Sequence, residues 1–358
     1  MTVNFDFLVS GCNTRCRHCY VNGGPGSLMP LVDALLFIDK LDSLAELLPY
    51  DASFTLDNEP MNHPDIEHII RRAAAQHIKN YHHGMTSGIA LINREDRQAV
   101  MQTYLDCGCR DFGVTIHGNA PHHDELVRRE GAYQAAIEAA EFMSSCGAKV
   151  GVSLMFNRFF DTDAEEISAQ LRRLQPDYIY FAIPNFTPHA NMTAFEPYRG
   201  SLDTLRRIRP WLAQWRQRED ELTREACTVG MLREQLRQGL DIAALFRCPQ
   251  DELYMTVHQN GDLFVGNTGA ETRRLGNLRT LNLQETARHI GELPGNRDYG
   301  AFYEEALLPG REALLHALDQ LPRDLSARYS AWIPSAPPAA SKWPGWAVSR
   351  SAPERCAC

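Results

Sequence analysis

The sequence lacks the features that would place the protein across a membrane or on a nucleic acid. No apolar run reaches the roughly 18 residues that a membrane-spanning helix needs. Residues 1–6 show no basic segment followed by an apolar one, so no secretory signal is predicted. Basic charge is not in excess, because 36 Lys and Arg face 45 Asp and Glu, a formal net charge of −9. We therefore expect neither a membrane nor a nucleic acid as partner.

Cysteine is too sparse for a disulfide-rich secreted protein, with 10 residues in a chain of 358. Three of them, Cys12, Cys16 and Cys19, lie close together, which indicates metal binding in a reducing, cytoplasmic compartment. This trio lacks a fourth ligand, since no partner CxxC pair occurs elsewhere and structural zinc takes four Cys or His ligands. His18 could complete a zinc site only by straining the short loop. A non-enzymatic zinc or iron–sulfur protein is therefore the less favoured alternative.

The three cysteines have the spacing C-x3-C-x2-C and directly follow a short apolar run at residues 5–9. Iron–sulfur clusters are held by cysteine thiolates. Three thiolates leave one iron of a four-iron cluster without a protein ligand, so a small molecule can bind there. We predict a four-iron, four-sulfur (4Fe-4S) cluster held by Cys12, Cys16 and Cys19.

This spacing resembles the motif of the radical S-adenosylmethionine (radical SAM) superfamily. In that family a ring-bearing residue often precedes the third cysteine, and here it is His18, which the resemblance places beside the adenine of the cofactor. The resemblance implies S-adenosylmethionine (SAM) as cofactor, its cleavage to a 5′-deoxyadenosyl radical, and abstraction of a hydrogen atom from a substrate. It also implies an electron donor of the flavodoxin or ferredoxin type.

Up to about residue 195 the sequence alternates apolar strands with amphipathic helices. The predicted strands cover residues 4–9, 52–56, 80–85, 111–116, 149–156 and 178–183. The predicted helices cover residues 31–48, 65–76, 94–105, 132–145 and 164–174. This alternation is typical of parallel βαβ units. As the resemblance implies, we expect an α/β fold, a partial (β/α)6 TIM-type barrel over residues 1–195, with its chemistry at the carboxyl ends of the strands.

The loop after the second predicted strand carries Glu59-Pro60, which matches the end of the family's Gly-Gly-Glu-Pro stretch. The resemblance implies that Glu59 binds the methionine amino group of the cofactor, a charge-assisted contact. Asp57 and Asn58 replace the two glycines. Asp and Asn tolerate left-handed backbone conformations better than other non-glycine residues, so we expect the loop to keep its shape.

Further candidate residues follow the later strands. Thr115 and His117 share one face of a strand because side chains alternate along it. The resemblance assigns cofactor contacts to Thr115, His117, Ser153 and Asn157. The neighbouring His122, His123 and Asp124 have the residue types of a metal site, but adjacent histidines diverge on an extended chain, and we favour a capped helix start for them.

The second half divides into a helical connection at residues 196–245, an extension at 246–333 and a Pro- and Ala-rich tail at 334–358. Within the extension, Asn260-Gly261 between alternating runs predicts a small β-hairpin. The order of Cys248, Gly261 and Gly276-Asn277 resembles the SPASM/twitch extensions of radical SAM enzymes. Gly266 stands where their second cysteine belongs, so this extension is degenerate.

The missing cysteine leaves two roles open for Cys248. Glycine cannot ligate iron, so a second iron–sulfur cluster would need the four thiolates of Cys227, Cys248, Cys356 and Cys358. Alternatively, Cys248 is a free thiol that donates a hydrogen atom to a substrate radical, as a radical epimerase requires. A purely structural thiol is the third reading.

The substrate expected from these features is a small molecule. Peptide-modifying relatives often carry a recognition domain ahead of the barrel, and the first cluster cysteine is already residue 12. We expect a natural-product intermediate, such as a sugar or aminoglycoside, that is epimerised or dehydrogenated at a carbinol carbon. The alternative is a maturase of ribosomally synthesised peptides.

Overall fold

The computed structural model describes residues 2–19, 23–80, 85–182, 194–201, 252–266 and 273–293, with shorter stretches at 204, 207–208, 211, 226–228, 234, 237 and 326–328. Its first seven strands are β1 (Thr2–Phe7), β2 (Asp51–Leu56), β3 (Lys79–Asn80), β4 (Met85–Thr86), β5 (Asp111–Ile116), β6 (Lys149–Met155) and β7 (Tyr178–Ala182). The later strands are β8 (Ala226–Thr228), β9 (Glu252–Val257), β10 (Asp262–Val265), β11 (Arg273–Asn277) and β12 (Ser326–Arg328).

Helices separate the first seven strands along the chain. They are α1 (Leu31–Leu47), α2 (Ile66–Ala74), α3 (Ile89–Ile92), α4 (Arg97–Asp106), α5 (Ala120–Val127), α6 (Ala132–Ser145) and α7 (Phe160–Leu174), and α8 (Leu283–Glu292) follows β11. Short 3-10 turns occupy Pro60–Asn62 and Glu196–Tyr198. Among the helices of the described part of the chain, none has both the length and the apolarity needed to cross a bilayer.

The barrel strands are all parallel to their neighbours. β1, β2 and β3 pair in that order, and β4, β5, β6 and β7 form a second parallel sheet. β3 and β4 fall within one predicted strand, and residues 81–84 between them lie outside the described residues. The predicted α/β fold of parallel strand–helix units is confirmed, with strand and helix positions close to those expected.

The core forms where alternating strand residues meet the helices. Val3, Phe5 and Phe7 of β1 are fully buried, while the residues between them are partly exposed. The rings of Phe7 and Phe54 meet edge to face, with centroids 6.3 Å apart. Burial of such side chains contributes about 1.5–3 kcal/mol each, so this alternation fixes which face of β1 lies inside.

Helix α5 begins where the sequence predicts a capped start. The side chain of Asn119 accepts a hydrogen bond from the backbone N–H of His122, as an N-cap residue does. Asp124 then accepts hydrogen bonds from the backbone N–H groups of Gly131 and Tyr133, at 2.6 and 2.8 Å, where α6 begins. The polar residues of this segment therefore organise helix termini.

The C-terminal hairpin joins the barrel sheet directly. β9 pairs in parallel with β1, and β10 and β11 continue the sheet in antiparallel order. Gly261 adopts a φ of 86° in the turn, and a Cβ there would lie 2.4 Å from the ring of Phe37. The predicted hairpin is confirmed, and its attachment to β1 is an addition that the sequence did not indicate. The domain boundaries stay predictions.

Candidate active site at the cluster loop

The loop after β1 brings the three predicted cluster ligands together. The sulfurs of Cys12 and Cys16 each lie 3.3 Å from the hydroxyl oxygen of Thr14, so they are no more than twice that distance apart. The sulfur of Cys19 accepts a hydrogen bond of 3.0 Å from the backbone N–H of Gly23. This loop, residues 10–19, lies at the carboxyl end of its strand, where chemistry was expected.

Glycines allow the chain to return closely over the cluster loop. A Cβ on Gly11 would lie 2.3 Å from the backbone nitrogen of Gly26 and 2.5 Å from the carbonyl oxygen of Gly24. A Cβ on Gly23 would lie 3.3 Å from the sulfur of Cys19 and 3.5 Å from the Cβ of Cys12. The return segment therefore closes the loop around its sulfurs, and a side chain on Gly11 would push it away.

Helix α5 supports the loop from the other side. The backbone N–H groups of Arg15 and Arg17 donate to the carbonyl oxygens of Val127 and Leu126, at 3.2 and 2.9 Å. The side chains of the two arginines that follow α5 donate in turn to loop carbonyls, Arg128 to Arg15 and Arg129 to Asn13. Nothing in the sequence indicated this support, because the contacts join residues more than 100 positions apart.

The cluster loop is half-buried and rich in sulfur. Burial raises the pKa of Cys12, and it raises the pKa of Cys16 to about 12. The pKa values are those of thiols without metal, and iron would bind the deprotonated thiolates. Two buried polar atoms, Asn13 Oδ1 and His18 Nδ1, have no hydrogen-bond partner within the described residues. Three converging sulfurs in a loop closed by glycine backbone, with these spare polar atoms beside them, fit a 4Fe-4S cluster.

Three histidines pack against each other beside the loop. His18 Nε2 lies 3.4 Å from His117 Nε2, and His117 Nδ1 lies 3.4 Å from His123 Nδ1. Burial lowers the pKa of His18 and of His123 to about 4, and it lowers that of His117 well below its usual value. All three rings are therefore neutral at pH 7. Sequence reasoning placed His123 only at a helix start and missed its contact with His117.

One nitrogen of His18, one of His117 and the sulfur of Cys16 lie within 4.8 Å of one another. This is one of two groups of possible metal ligands in the described residues, the other being Asp42, Glu46 and His77, and it uses the sulfur of a predicted cluster ligand. Cys12 and Cys19 are not part of that set. The arrangement of all three sulfurs around one loop favours the cluster.

The Glu59 side chain ties two strand ends together. It is 1% exposed, and its carboxylate accepts hydrogen bonds from Thr86 Oγ1 at 2.6 Å, Ser87 Oγ at 2.6 Å and the backbone N–H of Ser87 at 2.8 Å. Burial raises the pKa of Glu59, and the hydrogen bonds from Ser87 and Thr86 oppose that shift. A carboxylate offers about four acceptor positions, so one remains open to a further donor. The hydroxyl of Ser10 also reaches the Glu59 carbonyl, at 2.6 Å.

Asn58 adopts the left-handed conformation that the missing glycines suggested. Its φ is 63°, and its backbone N–H donates to Asp57 Oδ1 at 2.7 Å. The structure thus shows Asn58 in the kind of conformation that asparagine tolerates, and preservation of the family's loop shape stays a prediction.

The remaining predicted cofactor contacts lie on β5, on β6 and just beyond these strands. Thr115 and Ser153 are register partners on the two strands. The amide nitrogen of Asn157 donates to the carbonyl oxygens of His117 and Met155, and its oxygen accepts from the N–H of Phe159. Asn157 therefore connects the ends of both strands, a structural role that sequence reasoning missed. The cofactor contacts of these residues stay predictions.

The second predicted metal site lies mainly outside the described residues, which include neither Cys248, Cys356 nor Cys358. Cys227 lies in β8 opposite Ala327 of β12. Gly266, which replaces the expected cysteine, has a φ of 110°, a conformation that favours glycine. The backbone there explains why glycine suits the position.

Three sulfurs at the carboxyl end of the first strand of a parallel α/β barrel define an iron–sulfur protein with an open position on its cluster. The model of the radical SAM superfamily matches residues 7–191, just over half of the sequence, and the chain belongs to this superfamily. Its cofactors are accordingly a 4Fe-4S cluster and SAM, as the sequence predicts.

Solved structures of radical SAM enzymes share the fold. SuiB of Streptococcus suis bound to S-adenosylmethionine is 13% identical, with a TM-score of 0.52, over 82% of this chain and 66% of SuiB. A SuiB structure bound to its precursor peptide SuiA is 12% identical, with a TM-score of 0.50 and the same coverage. The enzyme anSMEcpe with bound AdoMet is 11% identical, with a TM-score of 0.52, over 89% of this chain and 99% of that chain.

These similarities confirm the predicted partial barrel. This chain spans just under two thirds of the length of SuiB. No curated protein matches it significantly.

Proposed function

We propose that the protein cleaves SAM reductively and abstracts a hydrogen atom from an unactivated carbon of its substrate. The observation that carries this proposal is the convergence of Cys12, Cys16 and Cys19 in one half-buried loop, next to the buried carboxylate of Glu59. When bound and reduced, a 4Fe-4S cluster supplies one electron to SAM, which splits into methionine and a 5′-deoxyadenosyl radical. The protein holds the reacting atoms in line and excludes water.

Each residue of the site has a proposed task in this reaction. The three cysteines hold the cluster, His18 lies beside the adenine, and Glu59 accepts a hydrogen bond from the methionine ammonium through its remaining acceptor position. Thr115, His117, Ser153 and Asn157 are proposed to position the rest of the cofactor. Because burial lowers the pKa of His18 and His117, both rings stay neutral and add no cationic charge beside the sulfonium.

The test is anaerobic reconstitution with iron and sulfide. We expect about four irons per chain, or about eight with a second cluster, a four-iron electron paramagnetic resonance signal after reduction, and 5′-deoxyadenosine from SAM. Cys16→Ser is expected to lose the signal and the product. The matched control is Cys146→Ser, which changes a half-buried cysteine at the opposite end of the barrel. Absence of both signal and product in the parent protein would refute the proposal.

For the substrate we propose a small molecule, with epimerisation or dehydrogenation at a carbinol carbon. The net charge of −9 suits a cationic molecule such as an aminoglycoside. Gly266 in place of a second cysteine leaves Cys248 free to donate a hydrogen atom to the substrate radical. Incorporation of one solvent deuterium, lost in Cys248→Ala, is expected for an epimerase. A product oxidised by two electrons and free of deuterium would indicate a dehydrogenase and reject epimerisation.

The second candidate substrate is a ribosomally synthesised peptide. The observation that favours it is the structure of SuiB with its precursor peptide, since SuiB shares the fold of this chain. A short precursor gene beside the gene of this protein would support this candidate, whereas genes for sugar metabolism would support the small molecule. Mass spectrometry of each candidate after turnover decides between them.

We propose the cytoplasm as the location of the protein, because the reducing chemistry suits that compartment.

A further inference from the structure

A single hydroxyl group lies between two of the three predicted cluster sulfurs. The oxygen Oγ1 of Thr14 is 3.3 Å from the sulfur of Cys12 and 3.3 Å from the sulfur of Cys16. Thr14 is 5% exposed, so water has little access to its hydroxyl. Within the described part of the chain, the two sulfurs are the only hydrogen-bond partners of this hydroxyl.

The backbone on both sides of Thr14 is held by contacts that do not involve the Thr14 side chain. Arg129 Nη1 donates a hydrogen bond of 2.9 Å to the carbonyl oxygen of Asn13. Arg128 Nε donates to the carbonyl oxygen of Arg15. These contacts place the hydroxyl between the sulfurs, and they remain when the hydroxyl is replaced by another group of similar size.

Once both sulfurs bind iron, only the hydroxyl can be the donor. In the metal-free protein either group can donate, because a thiol and a hydroxyl each carry a hydrogen. A cysteine that binds a metal is a thiolate and has lost its hydrogen. The Thr14 hydroxyl carries one hydrogen, so it then donates to one of the two sulfurs.

The third sulfur has a donor of a different kind. The backbone N–H of Gly23 donates to the sulfur of Cys19 at 3.0 Å. Side-chain substitutions elsewhere in the loop leave this backbone donor in the chain, whereas one substitution removes the Thr14 hydroxyl. Of the two donors, the hydroxyl is therefore the one that depends on residue type and that an experiment can remove alone.

We propose that Thr14 donates its hydroxyl hydrogen to the thiolate of Cys12 or Cys16 and thereby raises the reduction potential of the cluster. The inference rests on the proposed function, because SAM cleavage needs the reduced cluster. Reduction adds one electron from an external reductant, and the hydroxyl keeps its proton. The sulfurs share the added negative charge, so a hydrogen-bond donor stabilises the reduced state more than the oxidised state. Thr14 thus acts through the cysteine ligands, as a positioning residue.

The test is an anaerobic redox titration of the reconstituted protein, followed by the electron paramagnetic resonance signal of the reduced cluster. Thr14→Val replaces the hydroxyl with a methyl group of similar size, and Thr14→Ser keeps the hydroxyl. Thr286→Val is the control for the same change at another buried threonine. Thr286 lies on α8, a helix that packs against α1.

The expected effect is a change in the ratio of reduced to oxidised cluster at one fixed potential. In Thr14→Val this ratio should fall about tenfold, which corresponds to a reduction potential about 59 mV lower for a one-electron couple. In Thr14→Ser and Thr286→Val the ratio should stay within about twofold of the parent value. A parent-like ratio in Thr14→Val would overturn the proposal, and so would an equal fall in Thr14→Ser or Thr286→Val.

Iron content separates this role from a purely structural one. Thr14→Val should bind as much iron and sulfide as the parent. Less iron, with an unchanged potential for the cluster that does form, would show that Thr14 only supports the loop and would overturn the proposal. If Thr14→Val binds no iron, Thr14→Ala is titrated in its place. Failure of both to bind iron, while Thr14→Ser binds it, would assign the hydroxyl to cluster assembly and would likewise overturn the proposal.

The titration is carried out without SAM, so its result does not depend on SAM cleavage. A parent protein that forms the cluster but yields no 5′-deoxyadenosine would refute the proposed function. The reduction potentials of the parent and the Thr14 variants would still decide whether the hydroxyl donates to the cluster.

Discussion

Glu59 is expected to have two separable roles, one in stability and one in cofactor binding. Its carboxylate accepts three hydrogen bonds from Thr86 and Ser87 in a site where it is 1% exposed. Glu59→Ala removes all three acceptor contacts and leaves a cavity. A buried donor without a partner costs about 1–3 kcal/mol, and Ser87 is half-buried, so water can reach its donors. We therefore expect Glu59→Ala to lower the free energy of unfolding by about 2–4 kcal/mol.

Glu59→Gln separates the two roles because it keeps the volume and removes the charge. The amide oxygen can accept both hydrogen bonds from Ser87, and the amide nitrogen can donate to Thr86 Oγ1. Since burial raises the pKa of Glu59, a neutral side chain also avoids the cost of burying a charge. The free energy of unfolding should change by no more than about 1 kcal/mol. Loss of a charge-assisted hydrogen bond to the SAM ammonium, worth about 1.5–3 kcal/mol, should weaken SAM binding about 10- to 150-fold.

Urea unfolding and anaerobic titration of the reconstituted protein with SAM measure the two quantities. Glu165→Gln is the control, since Glu165 is exposed on α7. It should change neither quantity. If Glu59→Gln bound SAM as tightly as the parent, the ammonium contact would be wrong. If Glu59→Ala unfolded at the parent's urea concentration, the carboxylate would not connect the two strand ends as described.

Two further substitutions test the geometry of the loops. Gly11→Ala places a methyl group 2.3 Å from the Gly26 nitrogen and 2.5 Å from the Gly24 oxygen, both backbone atoms, and overpacking of this kind costs about 1–3 kcal/mol. We expect Gly11→Ala to bind less iron after reconstitution than the control Gly291→Ala, whose new methyl group has its nearest neighbour at 3.7 Å. Equal iron contents in the two variants would contradict the close contact at Gly11. Asn58→Val should lower the free energy of unfolding by about 1–2 kcal/mol, because the φ of Asn58 is 63° and a β-branched residue is strained there. Asn58→Gly should not lower it. Equal urea midpoints for the Val and Gly variants would rule out the left-handed conformation.

The sequence by itself identified the elements whose causes are local. The spacing of Cys12, Cys16 and Cys19 indicated a single metal-binding loop, and the alternation of apolar residues placed the strands and most helices within a few residues. Residue chemistry alone indicated that Asn58 could adopt a left-handed conformation, which it does. Turn chemistry likewise predicted the hairpin at Gly261. In each case the physical signal lies within a few neighbouring residues, so it can be read before the chain is folded.

The tertiary structure decided what depends on contacts between distant residues. It attached β9 to β1, gave Glu59 three hydrogen-bond donors from the next strand end, and brought His123 against His117. It also joined the arginine side chains at the end of α5 to backbone carbonyls of the cluster loop, more than 100 positions away. Periodicity reports which face of an element is buried, but it carries no information about which other element will cover that face. The contacts between α5 and the cluster loop could therefore be seen only in the folded structure.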